Sequence, residues 1–261
     1  LAFIENLLRL TPRDELVVLM FHIPWFYPNP ANAETFRPAD RARLFALLRD
    51  RPNVLWLSGH THYQRHYFYG RGDGWEGTAP LHEYNVAAAC GSYWGGPPDA
   101  SGIPVATMND GTPHGYGVLT VDGVTVRTDY RAARHPADYQ ISLHVPKAAK
   151  TRTGYISYYA NVFNGHEGWT VESRVGDRQW NAMRRVVEWD PTYAEQYLAQ
   201  DALERPLATP RLPDPTVCYH LWRSYLPADL APGTYPVDVR ATDPAGTVHQ
   251  ARGEIRIVAV P

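Results

Sequence analysis

The chain has 261 residues, 27 acidic against 25 basic side chains and 44% hydrophobic content. That length suits one large domain or two moderate ones, with a core that needs no staples. A net charge near zero with scattered arginines leaves no electrostatic footprint for a nucleic-acid partner, and no apolar run approaches the roughly 20 residues that cross a bilayer. Aromatics reach 12%, with 8 Trp and 17 Tyr, which favours sheets and aromatic-lined clefts over helical bundles. Cys90 and Cys218 are too few for a disulfide framework. Two inert buried thiols are expected, with a single long-range disulfide as the alternative.

Residues 1–10 read as a helix, with Phe3, Ile4, Leu7 and Leu8 at helical spacing and Thr11-Pro12 stopping it. Glu15 to Phe21 (ELVVLMF) is an apolar run too short for a typical helix and rich in β-branched residues. It predicts a strand buried on both faces of a parallel sheet. Helical periodicity returns over Pro38 to Asp50, and Val54 to Leu57 predicts a second buried strand. Helix, strand, helix, strand is the order of a layered α/β sheet. Beyond residue 60, strands are predicted over 63–69, 81–89, 115–121 and 124–130, with Asp122-Gly123 a strong hairpin turn. Two loops rich in Gly and Pro, 70–80 and 90–114, interrupt them. The second is longer than ordinary connections, and its aromatic content predicts an ordered, functional loop.

Charge and proline break the strand pattern over 131–138, which predicts two domains, 1–135 and 136–261. Short alternating strands follow over 140–145, 155–163, 169–175, 183–189, 217–225, 234–242 and 249–258, with a short helix at 193–199. About seven strands with regular turns predict an all-β, immunoglobulin-like sandwich.

The chemistry concentrates in Leu57-Ser58-Gly59-His60-Thr61-His62. A buried strand ends, Gly59 permits a sharp turn, and two histidines follow at i and i+2. In an extended segment both imidazoles project to one side, and neutral imidazole is a common ligand for Zn, Mn or Fe. An arbitrary His-x-His is more often one satisfied polar residue and one exposed one. Position favours the ligand reading, because sites in α/β sheets collect at the C-terminal ends of strands. His60 and His62 follow one such end, and His22 follows another, directly after ELVVLMF.

Strand-Gly-His-Thr-His, preceded by strand-His-Ile-Pro, resembles the C-terminal half of the calcineurin-like metallophosphoesterase fold. The phrases Ala89-Cys90-Gly91-Ser92-Tyr93-Trp94-Gly95-Gly96 and Thr112-Pro113-His114-Gly115-Tyr116 resemble a bacterial subgroup with an extra C-terminal β-domain. The resemblance implies an α/β half of a layered αββα catalytic fold followed by the β-sandwich. It also implies a dinuclear centre of Mn, Fe or Zn that hydrolyses a small phosphomonoester or phosphodiester. His22 and His60 would ligate one metal and His62 the other. The subgroup implies export in a bacterium, periplasmic or secreted.

The sequence departs from the family pattern as well. No Asp-x-His or Gly-Asp-x-x-Asp precedes His22, and the family's Asn-His motif is missing. Gly72-Asp73-Gly74-Trp75-Glu76 and Asn164-Gly165-His166-Glu167 resemble these motifs superficially but lie after Gly-His-Thr-His, and both read as turns. The missing part of the catalytic domain is expected upstream of Leu1 or on another polypeptide, and no catalytic acid or base is identified in this chain. Trp25, Tyr93 and Trp94 could wall a substrate group, with Asn109, Asp110 and His114 near it; loop packing is the simpler reading of each alone. His66 and His82 read as strand-surface residues. Two other readings compete: a carbohydrate- or protein-binding module using Trp169, Trp180 and Trp222, and a degenerate phosphoesterase-fold domain. Trp169, Trp189 and Trp222 sit in strand patterns where core burial is the commoner explanation.

Overall fold

The computed structural model describes residues 1–26, 38–151 and 155–259. Helix α1 (Ala2–Leu10) lies over an edge of the first sheet, with Leu1, Ile4 and Leu8 against the core and Phe3, Leu7 and Leu10 exposed. Strand β1 (Val17–Met20) follows, then α2 (Pro38–Leu48), β2 (Val54–Ser58), β3 (Arg65–Tyr69) and β4 (Leu81–Asn85). The sheet order is β1-β2-β4-β3, with parallel pairs except between β3 and β4. The α/β reading of this part therefore stands in its element order. One detail differs: β1 is a sheet edge and Met20 is 77% exposed, so β1 is not buried on both faces.

Leu44, Phe45 and Leu48 of α2 pack against Trp56 of β2, which is fully buried. Rings of Phe21, Phe45 and Tyr69 surround Trp56 at centroid distances of 5.4, 5.6 and 5.4 Å. This aromatic block fixes the ends of β1 and β2, where the histidines emerge.

The hairpin β5 (Gly115–Asp122) and β6 (Thr125–Ala132) turns at Gly123, whose φ of 57° suits a residue without a Cβ. Then come β7 (Ile141–His144), β8 (Ala148–Lys150), β9 (Ser157–Val162), β10 (Thr170–Val175), β11 (Asn181–Ala182) and β12 (Arg184–Trp189). Helix α3 (Pro191–Ala199) and strands β13 (Val217–Tyr225), β14 (Gly233–Thr242) and β15 (Val248–Val258) complete the fold. Asp190 caps α3 by accepting from Tyr193 N–H, with proline in the first turn, so the helix starts before the predicted Tyr193. These strands form two sheets, β11-β10-β14-β15-β8 and β12-β13-β9-β7. Tyr158, Ala160 and Val162 of one meet Val171, Val239 and Ile255 of the other in a single core.

The long loop 90–114 is tied to the C-terminal sheets by a fully buried polar network. Asp110 accepts from Gln64 N–H (2.8 Å) and Thr112 N–H (2.9 Å), and its carboxylate meets His220 Nε2 of β13 at 3.0 Å. His220 Nδ1 faces Asn161 Oδ1 at 2.8 Å, while Asn161 Nδ2 donates to Asp110 O and to Asp190. His220 is thereby fixed at both ring nitrogens, by Asp110 on one side and Asn161 on the other. Gly111, with φ 86°, passes so close to Asp190 that a Cβ would lie 2.4 Å from its Cγ.

Candidate metal centre

His22 and His60 stand at the C-terminal ends of the parallel neighbours β1 and β2. Phe21 N–H donates to Leu57 O at 2.9 Å, and Gly59 N–H to His22 O at 3.1 Å, which extends the pairing into both loops. The two rings converge: His60 Nδ1 lies 3.0 Å from His22 Nε2, with the planes at 73°. Both rings reach solvent.

The expected extended His-x-His does not form. His60 and His62 have φ of 70° and 54°, and Tyr93 and Trp94, across the site, have 56° and 58°. Gly59 is not left-handed, and a Cβ there would meet only His22 O at 4.0 Å. The sharp turn is thus carried by the histidines themselves, each at a cost of about 1–3 kcal/mol, a strain that collects at functional sites. His62 is held by Gly91, whose carbonyl lies 2.7 Å from Nδ1. A carbonyl acceptor there calls for a proton on Nδ1, which leaves Nε2 as the nitrogen with a lone pair to offer. Tyr93 stacks on His62 at 4.4 Å. Gly91 can be nothing larger, since a Cβ would sit 1.6 Å from Ala106 O.

The other candidates divide. Tyr93 and Trp94 are exposed beside the histidines, and Trp94 meets His114 edge-on at 5.5 Å. His114 is buried, its Nδ1 3.0 Å from Ala89 O. Asn109 lines a cleft with His60 and Tyr93, and its Oδ1 is buried without a partner. Trp25 faces inward onto Phe21 and Trp56, with its N–H on the Glu83 carboxylate at 3.1 Å. Asp110 is fully buried and its carboxylate is spent on the network described above.

Among the described residues no three His, Cys, Asp or Glu side chains gather around one point as a metal shell. The donor chemistry fits a metal in part: two convergent imidazoles, a third held through its Nδ1, and among the described residues no carboxylate gathered with them.

Three readings need correction. Cys90 is exposed, with Sγ 3.9 Å from His62 Nδ1; Cys218 alone is buried, and burial pushes its thiol well up. His66 is not a strand-surface residue. It is buried, hydrogen-bonded to His82 (2.8 Å) and Asn164 (3.0 Å), stacked on Tyr84 at 4.3 Å and 5.0 Å from the His166 ring. Burial holds His66 well below the ordinary histidine value and pushes His82 down to about 3, each lowered further by neighbouring imidazoles. Trp189, expected in the core, is 57% exposed, whereas Trp169 and Trp222 are buried in the C-terminal core as their strand patterns suggest, and Trp180 is flanked by Arg174 and Arg240 at 4.9 and 4.4 Å. Sequence reasoning also passed over Arg65, whose guanidinium lies among rings from distant segments; only the fold brings them together.

A family model described as the C terminal of calcineurin-like phosphoesterase matches residues 83–249. No curated protein matches the chain significantly. The match starts in β4, downstream of the three histidines, and takes in the long loop and the C-terminal sheets. That span is well over half of the 261 residues, and the chain belongs to the calcineurin-like phosphoesterase family as its C-terminal part.

Proposed function

We propose that the chain forms part of a metal-dependent hydrolase of small phosphomonoesters or phosphodiesters, with His22 and His60 on one divalent cation and His62 on a second. The observation that carries this reading is the 3.0 Å convergence of the His22 and His60 ring nitrogens at two parallel strand ends. A two-plus-one split also accounts for the lack of a three-donor group among the described residues. The reading requires further donors, carboxylates above all, beside the three histidines. Mn, Fe or Zn would bind and polarise the phosphoryl oxygens and lower the pKa of a bound water. The chain's own part is to hold His62 through Gly91, cover it with Tyr93, and fix His22 and His60 to the sheet.

We read residues 1–135 as the C-terminal part of a layered αββα catalytic domain, because its sheet is mostly parallel and carries the histidines at strand ends. Residues 136–261 read as an immunoglobulin-like sandwich, because two antiparallel-rich sheets share one core. The subgroup resemblance favours a bacterial protein exported to the periplasm or medium.

The test is metal content by mass spectrometry, with hydrolysis of 4-nitrophenyl phosphate and bis(4-nitrophenyl) phosphate by the complete protein in Mn or Zn. His60→Ala and His62→Ala should each lose metal and at least 100-fold in turnover, in the range of a displaced catalytic group. Near-wild-type turnover in both variants refutes the assignment.

A further inference from the structure

Arg65 opens β3 three residues after His62. Its guanidinium carbon lies 3.6 Å from the ring centroid of Tyr219, 4.5 Å from Phe26 and 4.7 Å from Tyr67. Rings satisfy the faces of a guanidinium through their quadrupoles, but its five N–H donors lie in the plane and need acceptors. Among the described residues no carboxylate forms an ion pair with it. Arg65 acts at electrostatic range on the buried Glu83 carboxylate, but among the described residues that carboxylate places no acceptor on the guanidinium, and unmatched in-plane donors are costly to keep.

Arg65 shares a cleft of about 530 Å³ with His60, Tyr93, Asn109, Thr216 and Tyr219. The volume is that of a small-molecule site. The lining thus combines a proposed metal ligand, the ring-boxed cation and Asn109, whose Oδ1 is buried without a partner among the described residues. Thr216 immediately precedes β13 and Tyr219 lies in it, and Thr216 N–H donates to Asn109 O at 2.9 Å. The C-terminal sheets therefore form one wall of the cleft beside the metal histidines.

We propose that this cleft holds the leaving-group side of the phosphate ester, that this leaving group carries a second anion, phosphate or carboxylate, and that Arg65 receives it. The proposal rests on the phosphoesterase reading. The scissile phosphoryl group would sit at the histidines and the second anion in the plane of the guanidinium, which matches the fork geometry of phosphate and carboxylate. Thr216 and Tyr219 would then give the C-terminal sheets a direct part in substrate selection.

The experiment compares substrates that differ by one anion, in the complete metal-loaded protein and in Arg65→Gln, with folding of the variant checked by thermal melting. Fructose 1,6-bisphosphate against fructose 6-phosphate tests a second phosphate, and 3-phosphoglycerate against glycerol 3-phosphate tests a carboxylate. Wild type should prefer the doubly anionic member of at least one pair by tenfold or more in kcat/KM, and Arg65→Gln should erase that preference. The second arm titrates inorganic pyrophosphate into the metal-free chain by calorimetry, where Arg65→Gln should weaken binding at least tenfold. Equal preference in wild type, an equal fall on both members of a pair, or unchanged pyrophosphate binding overturns the proposal while leaving hydrolysis intact. Arg65-dependent binding with no hydrolysis of any ester overturns the phosphoesterase reading instead, and with it the leaving-group role.

Discussion

Acid should unfold this protein through three histidines that touch no candidate ligand, and His82→Phe should blunt that response. His66, His82 and His166 sit together between β3, β4 and the turn after β9, with Phe68 stacked on His82 at 4.6 Å. Burial lowers all three below the value of 6.5, and His82 to about 3. The charges facing the group are few: Glu167, Asp243 and Arg185 about His166, and His220 towards His66. The unfolded chain takes up these protons as pH falls through 6.5, and the folded chain does not. Stability is therefore intact above 6.5 and declines below it, down towards about 3 for His82. An excluded proton costs about 1.4 kcal/mol per pH unit below 6.5, so His82 alone takes about 1.4 kcal/mol between pH 7.5 and pH 5.5, and His66 and His166 add to the loss in the same direction. His82→Phe leaves His66 Nδ1 without its partner and should cost about 1–3 kcal/mol at pH 7.5. The readout is the slope: urea unfolding followed by tryptophan fluorescence should show a loss between the two pH values about 1.4 kcal/mol smaller than in wild type. Contributions from carboxylates common to both proteins cancel in that difference. An equal loss in the two proteins would refute the reasoning.

Gly91→Ala places a methyl group 1.6 Å from Ala106 O, and should cost about 1–3 kcal/mol and weaken metal binding about 10–100-fold through the displaced Gly91 carbonyl, as read by competition with a chelator. Asp110→Asn puts an NH2 group where one of the two carboxylate oxygens accepts from Gln64 N–H or Thr112 N–H in a fully buried site and should lower unfolding free energy by about 1–3 kcal/mol; an unchanged urea midpoint would mean that the network does not hold the loop. Leu44→Ala, at a fully buried helix position against the aromatic block, should cost about 2–5 kcal/mol in urea unfolding without changing metal content.

Most elements were legible because their signals are local. The β-branched run before His22 and the Val54–Leu57 run gave β1 and β2, and Asp122-Gly123 gave the hairpin. Two strands passed unread: β8, with three residues, and β11, with two, are too short to display a period. The site was legible in part for the same reason. Histidines after strand ends stand out in a sequence, whereas Arg65 among Phe26, Tyr67 and Tyr219, or Asp110 against His220, depends on segments that meet only in the fold. The left-handed backbone at His60 and His62 escaped notice because histidine carries no conformational signature comparable to glycine's.

The tie between Asp110 and His220 also sets a timetable. The partners are 110 residues apart, so on a ribosome adding about 5–20 residues each second the loop waits about 5–20 s for its anchor to be made. Gly91 and His62, joined at the start of that loop, have both been synthesised before the interval begins. The order of events is built into the chain: the near end of the loop can be tied down early, and its far end at Asp110 closes on His220 only once β13 is made.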